Sequence, residues 1–89
     1  MTQKTIELEQ FLIRGVFRQD DFLDGLDQHD FDQYTDSHVL VRGCDSAIIP
    51  PWAFMALTAR LVPLARTVRF GNEHDNVVIF RNSPQQSAK

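Results

Sequence analysis

The apolar positions of this chain fall into runs of unlike period, separated by polar punctuation. In the first, Leu8, Phe11, Leu12 and Val16 recur at helical spacing, which predicts a short helix over 6–15 that stops at Gly15. A strand over 12–17 is the competing reading. Phe22, Leu23 and Leu26 then mark the buried side of a helix over 20–28, with Asp20 or Asp21 as cap and Asp24 and Asp27 facing water. Phe31 and Tyr34 sit three apart in a polar stretch, the spacing of a single helical turn that pins a loop to the core. His38-Val-Leu-Val-Arg-Gly reads as a strand. Pro50-Pro51 suits the first turn of a helix that runs from 51 to 62 and stops near Pro63. Thr67–Phe70 and Asn76–Arg81 read as two further strands around the turn Gly71-Asn-Glu-His-Asp-Asn.

The order strand, helix, strand over 38–70 predicts a right-handed βαβ unit with parallel strands. The short link to the last strand predicts that it runs antiparallel to its predecessor. The fold class expected is a small α/β domain (α+β is the alternative) of two or three layers, with N-terminal helices and a C-terminal antiparallel strand. The domain is expected over 6–82, with flexible ends at 1–5 and 83–89.

The 51–62 helix changes the picture. Trp52, Ala53, Phe54, Met55, Ala56, Leu57, Ala59, Leu61 and Val62 leave only Thr58 and Arg60 to make a polar side. A helix apolar all round is buried on more than one side. The N-terminal helices could cover it, or a second copy could. An 89-residue chain has little material for the first option, and a chain of this size buries only roughly 60–65% of its unfolded surface. A homodimer is therefore expected, with Trp52, Phe54 and Met55 near the interface.

Composition sets the remaining bounds. Apolar content of 43% and charged content of 24% are those of an ordinary soluble domain. Net charge is −3, unevenly spread: nine acids oppose three bases up to Asp36, and three acids oppose six bases after it. An acidic chain without a basic, aromatic-studded stripe is not expected to bind nucleic acid. No run is long enough to span a membrane, and no signal-peptide pattern opens the chain. A cytoplasmic protein of bacterial type with a reduced thiol is the expectation.

Candidate chemistry gathers at one predicted edge. If the strands beginning at His38 and Thr67 are parallel neighbours, their C-terminal ends open together. Cys44 and Asp45 leave the first, and Glu73, His74 and Asp75 leave the second. Cys44 and His74 are ligand types for zinc or iron, or a nucleophile and its base; Cys44 as a small buried apolar residue is the third option. With one cysteine and no Cys-x-x-Cys, a metal site would need ligands from another chain. His38 is expected on the surface at a strand start, and His29 beside a neighbouring Asp. Arg42 and Arg69, on adjacent strands, could hold an anion or simply face solvent. No phosphate loop, Gly-x-Ser-x-Gly or His-Glu-x-x-His pattern is present.

The stretch Val39-Leu-Val-Arg-Gly-Cys44-Asp-Ser-Ala-Ile-Ile-Pro-Pro-Trp-Ala-Phe-Met55, with His29-Asp30-Phe-Asp-Gln-Tyr34 before it and Leu61-Val-Pro-Leu-Ala and Phe70-Gly71 after it, resembles a bacterial family defined only as a domain of unknown function. Its signature runs Cys-Ser-x-Asp-Ala-Ile-Val-Pro-x-Trp-Ala-Tyr-Met. Members of that family are longer and look like two related halves. This chain is similar to both halves, and His74 stands where the longer members carry a second cysteine. The resemblance implies a homodimer that imitates the two-repeat arrangement. It also implies an accessory role, with a protein partner, beside iron–sulfur cluster assembly. The reading that results is a small dimeric accessory or interaction protein rather than an enzyme. The alternatives are a metal or cluster site at Cys44 and His74, or a cysteine-dependent enzyme with Cys44 as nucleophile.

Overall fold

The computed structural model describes residues 3–43 and 48–82. Strand β1 (Gln3–Glu7) leads through a 3-10 turn (Leu8–Phe11) to helix α1 (Gln19–Gln28). A second 3-10 turn (Phe31–Tyr34) precedes β2 (His38–Arg42); helix α2 (Pro51–Leu61) then connects β2 to β3 (Thr67–Gly71), and β4 (Asn76–Arg81) closes the sheet. The strands lie in chain order, β1-β2-β3-β4. The first three are parallel and β4 is antiparallel to β3.

Two successive crossovers stepping the same way across a sheet put both helices on one face when each is right-handed. The core agrees. Ile6, Val39, Val41 and Val68 from the strands form one cluster with Phe22 and Leu26 of α1 and Ala53, Leu57 and Leu61 of α2. The domain is thus a two-layer α/β structure. Full burial of a side chain such as Phe22 or Leu57 contributes about 1.5–3 kcal/mol, so this seam carries the fold.

The expected helix over 6–15 is not formed. Ile6 instead pairs with Val41 inside β1 and is wholly buried. Residues 3–5, expected to be a flexible end, belong to the same strand. The helical spacing of Leu8 and Phe11 was real, but one 3-10 turn suffices to bury both. Gly15 is not a helix stop either. Ile13 and Val16 exchange backbone hydrogen bonds of 3.1 and 2.9 Å across Arg14 and Gly15, which both have positive φ, as a tight two-residue hairpin turn requires. Asp20 and Asp21 lie in the first turn of α1, where their charge suits the helix dipole; neither is the cap, a position held by Arg18. Gly25 has a packing role, since a Cβ there would stand 3.2 Å from the Phe11 ring.

His29 has a different partner from the expected Asp. Its Nε2 lies 2.7 Å from the Tyr34 hydroxyl, and the two rings stack. Phe11 and Phe31 meet the imidazole edge-on. Of the neighbouring acids, Asp27 pairs with Arg60 at 2.8 Å and Asp30 accepts from the Asp32 backbone N–H. Burial raises the Tyr34 pKa above its ordinary value of 10.0, with the negative charge of Asp30 adding to the effect. The folded state therefore holds the phenolic proton more tightly than the unfolded chain. The stabilisation this brings is complete below the unfolded pKa and is lost as pH rises through the folded one. Tyr34 is the only tyrosine, so its phenolate absorbance reports it alone. The titration midpoint is expected above that of the chain in denaturant, and a midpoint at or below it would contradict the placement of Tyr34.

Candidate functional site

The carboxyl ends of β1, β2 and β3 open along one edge, as parallel strands require. Arg42, the last residue of β2, sits at its centre. Its Nη1 lies 3.3 Å from Glu73 Oε2, beyond β3, and 3.7 Å from Glu7 Oε2, at the end of β1. One guanidinium thus ties three successive strand ends together. All three side chains are substantially exposed, so the network positions the edge more than it stabilises the fold.

The turn that carries Glu73 is firmly built. Asn72 Oδ1 accepts hydrogen bonds from the backbone N–H of His74 at 2.8 Å and of Asp75 at 2.9 Å. The Asn76 side-chain amide donates to the Asn72 carbonyl at 2.8 Å. Gly71 begins the turn at φ +142°, and a Cβ there would come within 2.2 Å of the Asp75 carbonyl oxygen. Only glycine fits. Glu73 therefore joins the edge through Arg42, while His74 and Asp75 stand exposed on the turn. Cys44 and Asp45, which follow β2 in sequence, lie outside the described residues. Among the described residues, no group of three or more His, Cys, Asp and Glu side chains could hold a metal ion.

Arg42 and Arg69 have separate partners within the chain. Arg42 is engaged by the two glutamates, and Arg69 donates to Asn76 Oδ1 at 3.0 Å on the helix-free face. A cavity of about 530 Å³ with a mixed polar and apolar lining lies on that face, between Gln3 and Thr5 of β1, His38 and Leu40 of β2, and Arg69. His38 is half-buried there rather than on the surface, with Nδ1 2.8 Å from the Thr67 hydroxyl.

The second feature is apolar. α2 buries Ala53, Leu57 and Leu61 against the sheet. Trp52 is partly covered by the N-terminal segment, meeting Phe17 and Phe22 edge-on at 5.6 and 5.8 Å between ring centroids. Phe54 packs edge-on against Phe70 of β3 at 5.0 Å. Met55, one residue along, is 71% exposed. Between this flank of α2 and the sheet runs an apolar groove of about 520 Å³, whose lining includes Phe54, Met55, Val62, Phe70 and Ile79. On β4, Ile79 and Val77 remain 53% and 62% exposed. Sequence reasoning named Phe54 and Met55 but missed Phe70, Val77 and Ile79. A run such as Val77-Val-Ile-Phe80 carries the pattern of a strand covered on both faces, and here it forms a sheet edge.

A two-layer α/β domain with both described helices on one sheet face and an apolar groove beside its last strand is the class these features define. Over residues 1–85 the chain matches the model of the family described as Protein of unknown function (DUF2480), and it belongs to that family. No curated protein and no solved structure matches it.

Proposed function

We propose that this chain is a non-catalytic interaction protein that works as a homodimer, with the outer flank of α2 and the neighbouring part of β4 forming the contact. The observation that carries this reading is the groove. It sets the exposed Met55, Phe70 and Ile79 beside the partly buried Phe54, and contiguous apolar patches on small proteins usually mark where something docks. Its lining lacks the convergent polar groups that a catalytic pocket needs. A role beside iron–sulfur cluster assembly is the setting that the family resemblance supplies, and the resemblance alone supports it.

Light scattering at micromolar concentration should give twice the chain mass of 10.2 kDa. Met55→Glu sets a charge into the contact while leaving the core intact, since Met55 is mostly exposed. It should raise the dimer dissociation constant by about tenfold or more. A wild-type monomer at these concentrations would refute the reading.

A second reading makes Cys44 and His74 metal ligands, completed by a second copy or a partner. Its support is the 3.3 Å contact between Arg42 and Glu73, which joins the residue two before Cys44 to the residue before His74. When protein is purified anaerobically, bound zinc or iron should accompany the wild type and be lost in Cys44→Ser. Metal-free wild-type protein would end this reading.

A further inference from the structure

The two edges of the sheet are built very differently. β1 is Gln-Lys-Thr-Ile-Glu, with charges at Lys4 and Glu7 and only Ile6 buried. Charge and shortness are the usual protection of an edge strand against pairing with another chain. β4 is Asn-Val-Val-Ile-Phe-Arg, with four consecutive apolar residues and neither proline nor charge between its ends. It bonds β3 on one side and, among the described residues, no strand on the other. The register shifts between Val68 and Arg69, which leaves Ile79 as an extra residue on β4; on either side of that irregularity the outer N–H and C=O groups meet no strand among the described residues and can take a further one.

The charges that bracket β4 say which strand fits. Glu73 and Asp75 stand just before it and Arg81 ends it. Among the described residues, neither Asp75 nor Arg81 enters an ion pair within the chain. When two copies of β4 run antiparallel, the start of each lies beside the end of the other. Asp75 of one copy then approaches Arg81 of the second, and two-fold symmetry makes the contact twice. Parallel pairing would set like charges together. A two-fold axis perpendicular to the sheet also keeps both helical layers on one side, so the exposed flanks of the two α2 helices close over the shared seam.

We propose that β4 pairs antiparallel with β4 of a second copy, joining two four-stranded sheets into one of eight strands. This rests on the homodimer proposed above and supplies its geometry. Arg81→Asp and Asp75→Arg alter exposed side chains only. Each homodimer then meets like charges at both ends of the seam, and its dissociation constant should rise about tenfold at low ionic strength, less in high salt. An equimolar mixture of the two variants should recover a heterodimer as tight as the wild type, because one copy is acidic at both ends and the other basic. The chain carrying both substitutions should dimerise like the wild type, and circular dichroism checks that every variant is folded. If the wild type is a dimer but the folded single variants dimerise equally well and show no preference for each other, pairing through β4 is wrong while the dimer stands. A wild-type monomer overturns both.

Discussion

Two crossover helices have to cover a sheet of four strands, and they cannot. α1 and α2 both lie on the face that buries Ile6, Val39, Val41 and Val68, because successive right-handed crossovers leave no other choice. β4 follows β3 through a tight turn, so among the described residues it brings no helix with it. Phe54 against Phe70 is an aromatic contact between α2 and the sheet. Beyond it, Met55, Val77 and Ile79 are left open. The groove and the bare edge strand both follow from this shortage of helix.

Much of this architecture was legible in the sequence. α1, β2, α2, β3 and β4 carry long apolar runs or proline and glycine stops, and their order alone implies the parallel pair and the antiparallel return. β1 was not legible because it buries a single residue, Ile6, and so shows no alternation. The helical spacing of Leu8 and Phe11 then suggested a longer helix than the chain forms. His29 was misread for a related reason. Acids surround it in sequence, but its partner is an aromatic ring five residues away that only the 3-10 turn brings alongside.

The candidate site divides in the same way. A parallel β2–β3 pair brings residues leaving both strands to one edge, and Arg42 touching Glu73 is that expectation in atomic form. Whether Cys44 and Asp45 take part concerns positions outside the described residues. The apolar surface was only half legible. The all-apolar character of α2 pointed to Phe54 and Met55, whereas the exposure of β4 depends on where the sheet ends, which no local pattern encodes.

The central claim is that a second copy completes what two helices leave uncovered. Hydrogen exchange along β4 tests it most directly. In an isolated chain the β4 amides that point away from β3 meet no strand among the described residues and exchange quickly, while those bonded to β3 exchange slowly. The account predicts that at high protein concentration protection extends to the outward amides of Val77–Phe80, and that it fades on dilution while the core strand β2 stays protected. Outward β4 amides that exchange fast at every concentration would contradict it.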